Sequence, residues 1–219
     1  MADLPLVLGF DTSGAYCAVA LLSGDTVIAA RHTDMAKGQA ETLMPMIEAV
    51  LSEAAVSLSD LSAIGVGIGP GNFTGVRIAV SAARGLALAL SLPAVGVSVL
   101  EALALGTDGP VLCSVDARRD MVYAQGFNGS SGLSDPVLCD FDAVALPDPD
   151  AKTSVIGHRA DELAKRIGGV ACAPGYPLAE AIARIAAVRM NDCALPRPAP
   201  LYLRPADAAP ARDTGPVLL

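Results

Sequence analysis

The feature that most constrains this chain is a layout that occurs twice. "LVLGFDTSGAYCAVALLSGD" opens with an apolar run, Leu6 to Phe10, that ends at Asp11. A short turn follows, then a strand pattern from Tyr16 to Leu22, the tight turn Ser23-Gly24-Asp25 and a return over Thr26 to Ala30. "VLCSVDARRDMVYAQGFNGSSG" has the same order of parts: Val111 to Val115, Asp116, a polar turn, Met121 to Phe127 and a Gly-rich hairpin. Asp11 and Asp116 stand 105 residues apart in a chain of 219, so the repeat is half the chain. Self-similarity at that period predicts a duplicated α/β unit, each half opening with a three-stranded meander. The division is expected at 1–105 and 106–219, with a Pro-rich tail from Pro196 that is mobile at its end or packs back on the first half.

Between the two meanders the apolar period changes from two to 3.6. Gln39 to Ala55 reads as a helix, with Leu43, Met46, Ile47, Val50 and Ala54 on one face and Pro45 near its first turn. Ala63 to Ile68 reads as a strand. The loop "GIGPGNFTGVR" then feeds a helix from about Gly75 to Ser91, with Thr74 as its expected N-cap. A strand over Ala94 to Val99 and a helix from Val99 to Leu105 close the first half. In the second half, Arg159 to Ile167 and Pro177 to Met190 read as helices. The apolar stretch Gly85 to Leu100 is 16 residues long and is broken by Pro93. A bilayer core needs roughly 20, so it is read as a buried helix followed by a strand.

Charge and cysteine usage exclude several functions. The chain has 15 basic and 23 acidic residues, a net charge of −8, which does not suit a protein that neutralises nucleic-acid phosphates by itself. Its five cysteines are scattered without a C-x-x-C pair, so reduced cytoplasmic thiols are expected rather than a disulfide framework or a zinc site. The N-terminus has no basic region ahead of an apolar one, so no signal peptide is expected.

Three places could carry chemistry. Asp11-Thr12-Ser13 has two readings: a metal-coordinating carboxylate with a phosphate loop, as in sugar kinases, or a turn whose side chains satisfy local N–H groups. The glycine loop, with Gly69, Gly71 and Gly75, lacks the Lys of a P-loop, because Val76-Arg77 follows Gly75. Asn72 also stands where a dinucleotide fingerprint needs glycine. The alternative is close packing, since Gly75, Ala79, Ala83 and Ala87 make a stripe of small residues. Asp116 and Arg118 belong to a mixed-charge turn, read as a solvated loop or an anion-binding one. Arg77, Arg84 and Arg118 are the cationic candidates. His32 and His158 form no metal-binding pattern, and G-x-S-x-G is missing.

"FDTS", "ETLMPMIEAVL", "GIGPGNFTGVRIAVSAARGLAL", "LPAVGVSVLEALA", "VDARRDMVYAQ" and "PLYLRPADA" occur in this order. Together they resemble the bacterial TsaB family of tRNA threonylcarbamoyladenosine biosynthesis proteins, which are YeaZ-type and M22-like. The resemblance is dense over 6 to 125 and returns at Pro200. It implies an actin-like (ASKHA) duplicated α/β fold, with two RNase-H-like halves and helices packed on the sheets. It also implies a non-catalytic scaffold or activator that pairs with TsaD, the subunit transferring a threonylcarbamoyl group to N6 of the adenosine beside the anticodon. A TsaE-type ATPase joins the pair, and tRNA is met only through the complex. No membrane role follows.

TsaD keeps an H-x-x-x-H metal motif in the segment matched here by Val99-Leu100-Glu101-Ala102-Leu103. Val99 and Leu103 replace the two histidines, so no metal is expected and no cofactor is bound by this chain alone. ATP or ADP is left to the junction with TsaD. The resemblance places the partner surface on the first two helices, at Leu43, Met44, Met46, Ile47, Val76, Ala79, Val80 and Ala83. Without TsaD the same surface is expected to form a homodimer. Asn72 and Gln39 depart from the Ser and His common in the family, and altered local hydrogen bonds are expected there. The alternative function is a stand-alone M22-type metallopeptidase or an actin-fold kinase.

Overall fold

The computed structural model describes residues 4–129, 131–144 and 153–203. The part of the expected tail from residue 204 onward lies outside them. The first meander is β1 (Leu6–Asp11), β2 (Tyr16–Ser23) and β3 (Thr26–Asp34). Helix α1 (Gln39–Glu53), β4 (Ala63–Gly67), α2 (Phe73–Leu90), β5 (Ala94–Val97) and α3 (Val99–Ala104) follow. The second half holds β6 (Pro110–Asp116), β7 (Met121–Asn128), β8 (Ser131–Gly132), β9 (Val137–Asp140), β10 (Ser154–Gly157), α4 (Ala160–Ile167), β11 (Val170–Ala171) and α5 (Leu178–Arg189).

The repeat is visible in the sheets. The first has the order β3-β2-β1-β4-β5, and the second β11-β10-β6-β7-β8 with β9 also on β7. In both, the strand that ends in Asp pairs antiparallel with the next strand and parallel with the strand after the meander. Asp11 and Asp116 are each the last residue of that strand. The duplicated α/β architecture is therefore present in strand order and in register.

Alternation along β1 sorts its side chains onto two helical layers. Leu8 and Phe10 join the cluster formed with α1 and α2, while Val7 joins the cluster formed with α5. Gly9 and Gly65 point at α5: a Cβ on Gly9 would lie 2.4 Å from the Ala179 carbonyl oxygen, and one on Gly65 2.8 Å from the Ala186 Cβ. Strand glycines against helix alanines let α5 lie directly on the first sheet, although it lies in sequence beyond residue 105. Conversely α3 packs on the second sheet, around Leu100, Ala104, Val111 and Ile156. Each half thus lends its last helix to the region of the other, and Glu101 on α3 and Arg189 on α5 join the two by a bidentate ion pair.

Two expectations are corrected locally. Pro45 sits inside α1 rather than in its first turn, with its ring exposed to solvent. The N-cap of α2 is Asn72, not Thr74, because the Asn72 side-chain Oδ1 accepts from the N–H groups of Thr74 at 3.0 Å and Gly75 at 3.1 Å. By length and composition α2, at 18 residues and a mean hydropathy of 1.4, could cross a membrane. It also buries its inner side against the sheet and carries Arg77 and Arg84 outside.

Candidate functional site

The carboxyl ends of β1 and β6 face a shared cleft of about 1220 Å³ between the halves. Ser13, Gly71 and Thr74 line it from the first half, and Asp116 and Arg118 from the second. Of the other loop candidates, Asp11, Thr12, Gly69, Gly75, Arg77 and Arg84 do not line it.

Asp11 lies behind this wall, fully buried. Its Oδ1 accepts from the Ser13 N–H (2.9 Å), the Ser13 hydroxyl (2.7 Å) and the Tyr16 hydroxyl (2.7 Å). Its Oδ2 has no partner and occupies the space where a Cβ on Gly67 would stand, 1.9 Å from that position. Burial pushes the carboxyl above its ordinary value, against the downward pull of the Tyr16 and Ser13 hydrogen bonds. The same burial, with the nearby Asp11 charge, raises the Tyr16 phenol. Oδ1 is thus satisfied within the turn by Ser13 and Tyr16, as the turn reading of Asp11-Thr12-Ser13 requires, while Oδ2 is left unpaired.

The glycine loop serves that turn. The Thr12 hydroxyl donates to the Gly75 carbonyl at 2.7 Å, and the Asn72 N–H donates to the Ser13 carbonyl at 2.6 Å. A Cβ on Gly75 would lie 1.9 Å from the Thr12 carbonyl oxygen, and one on Gly71 2.5 Å from that of Ser13. Gly69, at φ +90°, adopts a backbone that L side chains rarely take. Asn72 takes two of the free N–H groups at the start of α2, those of Thr74 and Gly75, which leaves fewer donors to cradle a phosphate. Gln39, the other departure from the family, donates to the carbonyls of Gly14 and Met35 at 3.3 Å each.

In the second half, Asp116 Oδ1 accepts from the Arg118 N–H at 2.8 Å and lies 3.8 Å from His158 Nε2. Arg118, Arg119 and Asp120 have φ of 61°, 56° and 55°, three left-handed residues in succession. Val99 and Leu103 line the cleft, so the positions matched to the TsaD metal ligands present an apolar wall. Among the described residues no three His, Cys, Asp or Glu come together as metal ligands. This donor set does not fit a metal ion. Sequence reasoning missed the aromatic lining: Tyr16 stacked on His32 at 5.3 Å, Phe73 against Tyr202 at 5.2 Å, Tyr123 and His158. The one available signal was that the chain's two histidines both fall near strand ends.

The expected partner surface needs correction. Leu43, Met46 and Ile47 of α1, and Val76, Ala79, Val80 and Ala83 of α2, are buried in this chain's own core against Phe10, Val19 and Ile64. Met44 is half-buried at the edge of the same cluster. Periodicity marks which side of a helix is apolar; the sheet, not a second protein, covers it. The outward side of α2 carries Phe73, Arg77, Ser81, Arg84 and Leu88, the last 84% exposed. That of α1 carries Glu41 and Glu48.

Comparison with known proteins agrees with this architecture. The family model described as "TsaD: tRNA N6-adenosine threonylcarbamoyltransferase" matches residues 32–148. A protein of Bacillus subtilis named tRNA threonylcarbamoyladenosine biosynthesis protein TsaB is 36% identical over 161 residues, covering 69% of this chain and 70% of its own. A Mycobacterium leprae protein is 32% identical over 223 residues, 99% of this chain but 60% of its own length. Among solved structures, a Pseudomonas aeruginosa protein with similarity to peptidase YeaZ superposes with a TM-score of 0.80 at 30% identity, over 92% of this chain and all of that one. Component A of (R)-2-hydroxyglutaryl-CoA dehydratase from Acidaminococcus fermentans, 10% identical with a TM-score of 0.55 over 85% of this chain and 99% of its own, shares the actin-like fold alone. The chain belongs to the YeaZ-type TsaB family of tRNA threonylcarbamoyladenosine biosynthesis proteins.

Proposed function

We propose that this chain is a non-catalytic subunit that pairs with a TsaD-type protein and supports threonylcarbamoyl transfer to N6 of the adenosine beside the anticodon. A TsaE-type ATPase joins the pair, tRNA is met through the complex, and the assembly works in the cytoplasm. The observation that carries the reading is the cleft wall at Val99 and Leu103, apolar at the two positions that the resemblance matches to the metal-binding histidines of TsaD. Neither side chain can ligate a metal ion. Any ATP or ADP the complex uses belongs, in this reading, to the junction with the partner; that Asn72 already takes two of the α2 N–H donors supports it.

The docking face in this reading is the outer side of α1 and α2, not their inner stripe. Glu41 and Glu48 are exposed on α1, and Arg77 and Arg84 on α2. None of the four forms an ion pair with another described residue. Both pairs are seven residues apart, about 10.5 Å along a helix. A two-fold arrangement would set the acids of one α1 against the arginines of the facing α2. That matching supports a dimer with a paralogue of the same fold, and a homodimer when the paralogue is missing.

The test is reconstitution. The purified chain alone should modify no tRNA and cleave no peptide with any divalent metal. Adding TsaD- and TsaE-type partners with threonylcarbamoyl-adenylate should restore modification. Modification or peptide cleavage by the isolated chain would overturn the reading.

A further inference from the structure

The segment from Pro196 to Leu203 lies across the first half and ends at the second. The Leu201 N–H donates to the Ile68 carbonyl at 2.8 Å, and Pro198 packs beside Gly96. Leu203 joins the second-half cluster around Leu100 and Tyr123. Leu201, Tyr202 and Leu203 all line the cleft. One residue of this strap also reaches the outer side of α2: Tyr202 borders a groove of about 530 Å³ with Arg77, Ser81, Arg84 and Pro200. Arg77 Nε donates to the Tyr202 hydroxyl at 2.7 Å, and its guanidinium lies 3.8 Å from the centre of the Phe73 ring. Arg77 therefore ties the strap, and through it the cleft, to the helix face on which the partner is expected.

We infer that Tyr202 is a latch: an acidic side chain of the docking partner, entering the groove between Arg77 and Arg84, takes Arg77 from Tyr202 and loosens the strap over the cleft. The inference rests on the outer-face reading above. Five arginines of this acidic chain, Arg31, Arg159, Arg166, Arg184 and Arg189, already hold a carboxylate. Arg77 holds the Tyr202 phenol oxygen and the face of Phe73 but no carboxylate among the described residues, and Arg84 has no ion pair or hydrogen bond among them. A carboxylate adds a full opposite charge and can accept two parallel bonds from the guanidinium, where the phenol oxygen accepts one, so the exchange runs toward the partner. Tyr202 is 47% exposed, so the tie is open to competition.

Hydrogen exchange of the Leu201 amide reads the latch directly. In the free chain, Tyr202→Phe keeps the ring against Phe73 and removes the oxygen that accepts from Arg77. It should speed Leu201 exchange by about five-fold, the factor expected for one net hydrogen bond. Saturating the wild-type chain with its TsaD-type partner should give a similar acceleration and should add little to Tyr202→Phe. Unchanged exchange in free Tyr202→Phe, or slower Leu201 exchange in a wild-type complex confirmed by size, overturns the latch. The docking-face reading fails separately, if Arg84→Glu with Leu88→Asp still binds the partner at wild-type affinity.

Discussion

Gly75→Ala and Gly85→Ala are the same chemical change on the same helix, and they should move stability in opposite directions. At Gly75 the new methyl carbon would stand 1.9 Å from the Thr12 carbonyl oxygen, a backbone atom that no rotamer change removes. Helix α2 must shift away from the Asp11-Thr12-Ser13 turn, stretching the buried bond from the Thr12 hydroxyl to the Gly75 carbonyl. Overpacking of this kind costs about 1–3 kcal/mol, and a lost hydrogen bond about 1 kcal/mol more. The gain in helix propensity returns about 1 kcal/mol, leaving a net loss of roughly 1–3 kcal/mol. At Gly85 nothing lies within 4 Å of the place a methyl carbon would take, so only the propensity term acts. That variant should be stabilised by about 0.5–1 kcal/mol. For a chain of this size each kcal/mol moves Tm by about 2–4 °C. Thermal and urea unfolding followed by circular dichroism at 222 nm measures both. A Gly75→Ala protein as stable as wild type would refute the view that the glycine loop exists for close approach.

Four further outcomes test the buried turn, the two sides of α2 and the thiols. Burial raises the Asp11 carboxyl above its ordinary 3.8, so between that value and the raised one the native state holds more protons than the unfolded chain. Stability attributable to Asp11 should then fall as pH rises through this window, by at most about 1.4 kcal/mol per pH unit. The stability difference between wild type and Asp11→Asn should show that slope above pH 4, and a flat difference would contradict it. Ala83→Asp should unfold the chain, because an unpaired charge at a fully buried position costs about 4 kcal/mol or more. Leu88→Asp should instead leave the melting curve in place and weaken partner pairing in size-exclusion and titration assays. Burial pushes the Cys17 thiol up to about 11, helped by the Asp11 charge, and the Cys113 thiol up to about 12. Under native conditions Ellman's reagent should therefore label exposed Cys172 and Cys193 and spare these two.

How far the sequence could be read depended on whether a pattern carried its own partner. The doubled strand–Asp–turn–strand layout did, because an antiparallel meander contacts itself, and in both sheets the meander strands pair in sequence. The Asn72 cap was nearly legible: the choice between residues 72 and 74 turns on one side chain reaching two N–H groups. The position of α5 was not legible. Its alanines Ala179, Ala183 and Ala186 meet Gly9 and Gly65, residues more than a hundred positions away, and neither pattern names the other.

The small-residue stripe of α2 shows why the outer face matters more than its composition suggests. Gly75, Ala79 and Ala83 permit close approach, and the approach they permit is to the turn after β1 and to the first sheet. Once that side is used, an apolar helix of 18 residues still has Leu88 in solvent and two arginines without carboxylates. The two arginines stand seven residues apart, as Glu41 and Glu48 do on α1. The inner stripe fixes the distance between helix and sheet; the outer ridge is the face that the proposed docking uses. The two roles predict opposite phenotypes for neighbouring residues on one helix, loss of folding at Ala83 and loss of pairing at Arg84. If Arg84→Glu and Ala83→Asp both unfolded the chain, or both left pairing intact, that division of labour would be wrong.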